Sequence, residues 1–130
     1  MIRRAGPPRQ GQWSIPGGVL ELGETLAEGV VRELKEETGL KVKVLEAIEV
    51  LERIDPGIPD AEGKSDPSRP RYHFVIVDYL CELQSGTARA GSDATEFAWA
   101  REEELLKFDV TPEAARVLRK AFRMACSRTP

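Results

Sequence analysis

Residues 18–40 read GVLELGETLAEGVVRELKEETGL, and this stretch holds the most complete set of helix signals in the chain. Thr25 and Glu28 have the spacing of a capping box, in which each side chain accepts a hydrogen bond from the other residue's backbone amide. Gly39 is placed to end a helix in the left-handed conformation. Between these limits, apolar residues recur at helical spacing at Leu26, Ala27, Val30, Val31 and Leu34. The sequence therefore predicts a helix over residues 25–38.

Three carboxylates of this helix share one arc of its surface. At about 100° per residue, Glu33, Glu36 and Glu37 fall within roughly 100° of one another and border the apolar side. Like charges at these spacings repel, and carboxylates in the C-terminal half also oppose the helix dipole. A hard divalent cation such as Mg²⁺ reverses that argument, because it binds several oxygen ligands from one rigid face. A solvated acidic face is the alternative, and the adjacent glycines at positions 17 and 18 argue against it.

The remaining apolar patterns predict several strands and one more helix. Alternating or continuous apolar residues favour strands at residues 12–15, 42–51, 73–83 and 97–100. Thr111 and Pro112 open a second helix that extends to about residue 124, with Pro at its first helical position. Residues 53–71 are rich in Pro and Gly and predict a long loop. Two helices on the faces of a mostly mixed sheet give an α/β or α+β sandwich.

The length and charge of the chain argue against several classes of protein. Its 130 residues suffice for one globular domain, with 41% hydrophobic and 32% charged residues. A formal net charge of −3 argues against nucleic-acid binding and leaves a small anionic substrate open. The longest apolar stretch is too short for a membrane span, and residues 1–10 do not resemble a secretory signal. Cys81 and Cys126 lack the spacing of a zinc site or disulfide scaffold, so a cytoplasmic protein is expected.

The stretch that begins at Gly18 also matches the pattern of a known family. It resembles the Nudix box, GX5EX7REUXEEXGU, in which U is a bulky aliphatic residue. Every fixed position is filled, by Gly18, Glu24, Arg32, Glu33, Leu34, Glu36, Glu37, Gly39 and Leu40. Residues 13–18, 73–83 and 93–99 are similar to the family as well. The resemblance covers most of the chain and implies one Nudix domain over residues 1–130, folded as an α/β/α sandwich with a mixed sheet.

The resemblance implies a chemistry and a metal site. Nudix enzymes hydrolyse the pyrophosphate bond of a nucleoside diphosphate linked to another moiety, with Mg²⁺ or sometimes Mn²⁺ as cofactor. By position, the implied metal ligands are Glu33, Glu36, Glu37 and a backbone carbonyl at Gly18. The same correspondence implies that Arg32 orients the catalytic glutamates through ion pairs. It also implies that Glu24 anchors the loop before the helix.

The general base is left open by the resemblance. Glu33 is one candidate, and Glu96, on a predicted loop before Trp99, is the other, either as base or as a further metal ligand; a plain surface acid is the alternative for Glu96. His73 begins an apolar strand, which favours a structural role over a base. Trp13 and Trp99 are expected in the core rather than stacked on a nucleobase. Three basic residues could contact phosphates or be solvated, namely Arg3, Arg4 and Arg9.

Substrate choice and assembly lie outside the box. Pro56, which is 16 residues beyond Leu40, and residues 71–79 resemble the ADP-ribose pyrophosphatase branch, so ADP-ribose ranks first, giving AMP and ribose 5-phosphate. An oxidised nucleoside triphosphate is the alternative substrate, and a non-catalytic nucleotide-binding module is the alternative role. Nudix folds usually have a strand leading into residues 2–4, so the N-terminal strand is expected to be shortened or missing. A missing strand would leave an open sheet edge, which favours a homodimer.

Overall fold

The elements of the chain are given by a computed structural model, which describes residues 1–6 and 9–128. Within these residues the elements, in chain order, are β1 (Ile2–Arg4), β2 (Trp13–Ser14), α1 (Leu26–Thr38), β3 (Lys41–Ile54), β4 (His73–Ser85), β5 (Ala94–Phe97), a 3₁₀ helix (Glu102–Lys107) and α2 (Pro112–Arg128). The buried apolar core among them consists of Ile2, Leu40, Val42, Ile48, Leu105 and Val117. None of the described helices has the length and apolar character needed to cross a membrane.

Helix α1 begins and ends where the sequence predicts. The Thr25 hydroxyl accepts from the Glu28 amide at 3.2 Å, and the Glu28 carboxylate accepts from the Thr25 amide at 3.1 Å, which completes the capping box. Gly39 adopts a left-handed conformation with φ 73°, and its amide donates to the Lys35 carbonyl. The predicted apolar face is only partly covered, since Leu26 and Ala27 are exposed. The caps therefore set where the helix begins and ends, while its apolar face is partly buried at Val30, Val31 and Leu34.

The strands form two sheets. Strand β1 lies between β2 and β5 and is antiparallel to both, while β3 and β4 form a separate antiparallel pair. The α+β class is confirmed, but the expected single mixed sheet is wrong for the described residues, whose strand pairs are all antiparallel. Strand β1 is short, as expected, and it has a neighbour on each side, so β1 is not an edge strand among the described residues. The pattern of one strand does not encode which distant strand pairs with it.

The last predicted strand is displaced along the chain. Strand β5 covers Ala94–Phe97 rather than residues 97–100, because its register places Phe97 opposite Ile2 and Glu96 opposite Arg3. Glu96 therefore lies in a strand and not on the predicted loop. Strands β3 and β4 and helix α2 follow the predicted segments and are longer than predicted.

The two helices lie on opposite faces of the β3–β4 pair. Even-numbered residues of β4 lie opposite Glu46, Glu49 and Arg53 of β3, so these residues share one face. All three pair with α2, in the ion pairs Glu46–Arg128, Glu49–Arg116 and Arg53–Glu113. On the other face of the pair, Val42 and Val44 of β3 lie opposite odd-numbered residues of β4. Val42 and Val44 line a groove together with Ala27 and Val31 of α1. This arrangement is the expected α/β/α sandwich.

The segment between β4 and β5 closes the C-terminal end of α1. The amides of Arg89 and Gly91 each donate at 2.9 Å to carbonyls of the last turn, those of Thr38 and Glu37 respectively. The Ser92 hydroxyl donates to the carbonyl of Glu36 at 3.5 Å. Helix ends leave such carbonyls without intrahelical partners, so this segment satisfies them. The carboxylate-bearing end of α1 is thereby held in place by residues more than 50 positions away.

An ion pair between a buried aspartate and an exposed arginine closes the base of the long loop between β3 and β4. The Arg71 guanidinium donates to Asp55, whose side chain is buried, and the Gly57 amide donates to the same carboxylate at 3.0 Å. The Asp55 amide donates to the Tyr72 carbonyl at 3.0 Å. The hydrogen bond from Arg71 holds the pKa of Asp55 below its ordinary value, with a smaller contribution from Gly57.

The Asp55 pair predicts a pH-dependent contribution to stability. A carboxylate with a lowered folded-state pKa stabilises the fold above its ordinary pKa of 3.8, and that stability is lost as the pH falls through the lowered value. We therefore expect Asp55→Asn to lower the free energy of unfolding at pH 7, with a smaller difference from wild type near pH 3. Urea unfolding at both pH values measures this, with Asp109→Asn, an exposed acid, as the matched control. The prediction would be contradicted if the free energies of unfolding of Asp55→Asn and wild type differed by the same amount at both pH values.

Candidate active site

Arg32 is the centre of an ion-pair network at the start of the acidic face of α1. Its guanidinium donates to both carboxylate oxygens of Glu24, at 2.6 and 3.1 Å, and to Glu33 at 2.8 Å. It also donates to Glu36 at 3.2 Å and to the Val19 carbonyl at 3.0 Å. The hydrogen bond with Glu24 raises the pKa of Arg32 most strongly and lowers that of Glu24. Arg32 thus joins the loop before α1 to two of the three predicted metal ligands.

Glu37 is the most buried carboxylate of the predicted ligand set, with 7% of its surface exposed. One of its oxygens accepts from the Gly17 amide at 2.8 Å. Burial raises the pKa of Glu37 to about 7, against the Gly17 hydrogen bond, which lowers it. The negative charges of Glu33 and Asp93 raise it further, and Arg4 lowers it. Glu37 therefore lies where a cation would relieve both its burial and its repulsion from neighbouring acids.

Gly18 meets the carboxyl group of Glu33 at the turn before α1. A Cβ atom at position 18 would overlap the Glu33 carboxyl group, so only glycine leaves that group in its present place. The described part of the chain contains no group of three His, Cys, Asp or Glu side chains arranged to hold a metal ion. The reason is visible in the contacts, because Glu33 and Glu36 point at Arg32 while Glu37 accepts from Gly17. The three carboxylates are oxygen donors of the kind that a hard cation binds, and two of them, Glu33 and Glu36, are paired with Arg32.

Several predicted site residues lie away from this cluster. Glu96 pairs with Arg3 at 2.8 Å, and both side chains are about half exposed. Arg3 also donates to the Gly11 carbonyl, so it is engaged between β1 and the turn before β2. His73 lies 3.0 Å from Glu52 at the start of β4, which agrees with a structural role. The sequence places Glu96 and the box in one site, whereas the contacts of the described residues link Glu96 to Arg3.

The two tryptophans differ in their surroundings. Trp13 is half-buried and packs edge-on against Phe108, with the ring centroids 5.1 Å apart. Trp99 is 65% exposed and packs edge-on against Phe97. A core position is therefore wrong for Trp99, because β5 ends at Phe97 and leaves Trp99 outside the sheet.

Sequence reasoning missed three groups that act on Glu37. They are the Gly17 amide, Asp93 and Arg4. Asp93 lies directly before β5, and Arg4 is opposite Ala94 in the β1–β5 register, so a long-range strand pair brings both towards the end of α1. The signal available in the sequence was the similarity of residues 93–99 to the family, which pointed to Glu96 rather than to Asp93.

For the pyrophosphate hydrolysis that the resemblance to the Nudix box implies, Arg32→Lys is expected to lower kcat/KM by about tenfold to a hundredfold. A lysine ammonium is a single point of donation, whereas Arg32 bridges Glu24, Glu33 and Val19 with a planar fork. Loss of the bridge frees Glu33 to move, so the defect should fall mainly on kcat. Steady-state kinetics at a saturating concentration of the implied divalent cation measure the effect, with Arg123→Lys on α2 as the control. Wild-type kinetics in Arg32→Lys would remove Arg32 from the site.

Comparison with known proteins identifies the family. The profile of the NUDIX domain matches residues 1–121, and the chain therefore belongs to the NUDIX domain family. The chain is similar to the ADP-ribose pyrophosphatase of Methanocaldococcus jannaschii, with 38% identity over 97 residues, which are 74% of this chain and 50% of that protein. It is also similar to nucleoside triphosphatase NudI of Escherichia coli (strain K12), with 26% identity over 113 residues, covering 84% of this chain and 75% of NudI. The chain spans about half the length of the Methanocaldococcus protein.

A solved structure shows the same fold. The NUDIX domain of Shewanella oneidensis NrtR, solved in complex with ADP ribose, matches with a TM-score of 0.70 and 19% identity. The match covers 95% of this chain and 75% of that chain. At this identity the likeness concerns the fold.

Proposed function

We propose that the chain is a Nudix pyrophosphohydrolase with one domain over residues 1–130. It hydrolyses the pyrophosphate bond of a nucleoside diphosphate linked to another moiety, in the cytoplasm and with a divalent cation, Mg²⁺ or alternatively Mn²⁺. The observation that carries this proposal is the arrangement around Arg32 and Gly18. Every fixed residue of the box is present, and the box helix brings its carboxylates to the glycine turn.

The proposed ligands of the cation are Glu33, Glu36, Glu37 and the backbone carbonyl of Gly18. A bound divalent cation neutralises phosphate charge and lowers the pKa of a bound water. The repulsion between the half-buried Glu33 and the buried Glu37 supports this assignment, because a cation between them would relieve it. The close approach of Gly18 to the Glu33 carboxyl group brings the backbone of the turn beside this proposed ligand.

The protein's own residues then orient the reaction. Arg32 fixes the directions of Glu33 and Glu36, so that neither has to be ordered when substrate binds. Glu33 is half-buried beside Gly18 and is one candidate for the general base. Glu96 is the other candidate, and its pairing with Arg3 would have to open before it could accept a proton from water. Glu33 is likewise paired, with Arg32 at 2.8 Å, so both candidates stay open.

ADP-ribose is the proposed first substrate, cleaved to AMP and ribose 5-phosphate. The Methanocaldococcus relative is named an ADP-ribose pyrophosphatase, and the NrtR domain was solved with ADP ribose. The position of Pro56 supports the same branch. No nucleic-acid or membrane partner is proposed, and a homodimer stays the proposed assembly.

Two alternatives each have an observation in their favour. Nucleoside triphosphate hydrolysis, including that of an oxidised nucleotide, is supported by the similarity to nucleoside triphosphatase NudI. A non-catalytic nucleotide-binding module is supported by the internal pairing of Glu33 and Glu36 with Arg32, which leaves no three-carboxylate metal group in the described residues.

One assay separates these possibilities. The purified chain is incubated with ADP-ribose and, separately, with normal and 8-oxo nucleoside triphosphates, with about 5 mM Mg²⁺ or with EDTA. The proposal expects AMP and ribose 5-phosphate from ADP-ribose in Mg²⁺ alone. Nucleoside monophosphate and pyrophosphate formed only from triphosphates would favour the first alternative. Saturable ADP-ribose binding by calorimetry without any turnover would favour the second.

A further inference from the structure

Five charged side chains meet where helix α2 packs on the β3–β4 pair. Glu49 and Asp78 lie directly opposite each other in the strand register, on the face that pairs with α2. Two ion pairs join this face to the helix, Glu49–Arg116 and Arg53–Glu113. Each arginine is thus paired with one glutamate. Among the described residues, no cation lies within ion-pairing distance of the third acid, Asp78.

One carboxylate oxygen of this group lacks a donor. Glu49 Oε1 accepts from Arg116, but Glu49 Oε2 is buried and has no hydrogen-bond partner among the described residues. Folded proteins leave few buried acceptors unpaired, because such an acceptor has lost its hydrogen bonds to water and gained none in return. The side chain directly across the strand pair is that of Asp78, and Cβ atoms in such a register are about 4.5–5.5 Å apart. A protonated Asp78 can supply the missing donor, whereas an ionised Asp78 cannot.

The charges around Asp78 favour its protonated form. Burial raises the pKa of Asp78, the negative charges of Glu113 and Glu49 raise it further, and Arg53 lowers it. Strand β3 contributes Glu49 and Arg53 to these surroundings, and α2 contributes Glu113 and Arg116. With Asp78 ionised, three carboxylates face two guanidinium groups. With Asp78 protonated, the charges of the group balance.

We propose that Asp78 and Glu49 share one proton and together form a pH-sensitive switch between α2 and the β3–β4 pair. In the protonated state the Asp78 hydroxyl donates to Glu49 Oε2 while Glu49 Oε1 accepts from Arg116, so Glu49 joins the neighbouring strand to the helix. Loss of the proton to solvent removes this donor and leaves two carboxylates facing each other across the strands. The next pair along the strand, Glu46–Arg128, is itself closed and offers no spare cation. Helix α2 is then held less tightly as the pH rises.

The direction of this pH dependence follows from the raised pKa of Asp78. Its ordinary pKa is 3.8, so between that value and the raised value the folded protein binds a proton that the unfolded chain has lost. The shared proton therefore stabilises the fold fully below pH 3.8, and this contribution is lost as the pH rises through the raised pKa. Asp55, whose pKa is lowered, acts in the opposite direction at acid pH. Local measurements at Asp78 and in α2 are needed to separate the two effects.

The titration of Asp78 in the wild-type chain tests the shared proton. Carbon-13 NMR of the Asp78 carboxyl group should give a midpoint above 3.8, and Glu49→Gln should move that midpoint back towards 3.8, because it removes the facing charge. Glu82→Gln makes the same change at an exposed position of β4 and is the matched control, with the Asp78 midpoint unchanged. A wild-type midpoint at or below 3.8, or an unchanged midpoint in Glu49→Gln, would overturn the proposal.

Hydrogen exchange of the α2 amides tests the effect on the helix. After correction for the intrinsic exchange rate, wild-type protection should be about twofold to fivefold lower at a pH above the measured midpoint than at a pH below it. Asp78→Asn should show no such fall, because its side-chain amide can donate to Glu49 Oε2 at every pH. An equal fall in Asp78→Asn would show that the proton does not hold α2 and would overturn the switch. Both measurements are made without substrate, so their failure leaves the proposed hydrolase activity unaffected.

Discussion

Glu37→Gln is expected to lower the turnover of ADP-ribose by about a thousandfold at saturating Mg²⁺. The change removes one negative charge from the proposed cation site and alters almost nothing else, because a Gln side chain has nearly the same shape. Its amide oxygen can still accept from the Gly17 amide, which donates to Glu37 at 2.8 Å. The loss should therefore appear in kcat, and in a higher Mg²⁺ concentration for half-maximal rate.

The fold of this variant should be intact. Burial raises the pKa of Glu37 to about 7, so the charged form is already disfavoured in the metal-free protein. The Glu37→Gln variant has a neutral side chain at this position, so its unfolding temperature in EDTA at pH 8 should be no lower than that of the wild type. Glu82→Gln, at an exposed position of β4, is the matched control and should keep the wild-type rate. Undiminished turnover in Glu37→Gln would exclude Glu37 from the site, while a lower unfolding temperature would show that its role is structural.

The part of the site that lies on α1 was predictable because its determinants are local. Thr25, Glu28 and Gly39 act on residues within four positions of themselves, and the structure has them as predicted. The ion pair of Arg32 with Glu36 has the i,i+4 spacing that a helix favours, whereas the pair with the adjacent Glu33 was expected only from the family pattern. The link from Arg32 back to Glu24 spans eight residues and was predicted only as an implied anchoring role.

What could not be predicted depends on distant strands. The pairing of β1 with β5 sets the register of Glu96 opposite Arg3, and no pattern within residues 94–97 specifies that partner. The same pairing brings Asp93 towards Glu37, which the sequence analysis missed. The exposure of Trp99 follows from where β5 ends, so an aromatic residue in an apolar stretch was misassigned to the core.

Gly91→Ala is expected to destabilise the fold by about 2–3 kcal/mol and so to lower the unfolding temperature by about 10 °C. A Cβ at position 91 would overlap the carbonyl oxygen of Glu36, and the obstacle is backbone that cannot rotate away. The clash also displaces the Gly91 amide from the Glu37 carbonyl, to which it donates at 2.9 Å. The last turn of α1 would then have to shift together with the carboxylates it carries.

The second consequence separates this variant from a simple loss of stability. Well below its unfolding temperature, Gly91→Ala should still show a reduced kcat, because the backbone of Glu36 and Glu37 must move to admit the methyl group. Gly6→Ala is the matched control: a Cβ at Gly6 meets no atom within 4 Å, so both unfolding temperature and rate should stay close to wild type. Thermal unfolding and steady-state kinetics are measured on the same preparation of each of the two variants. Equal unfolding temperatures for the two variants would mean that the segment before β5 does not hold the end of α1 as closely as these contacts indicate.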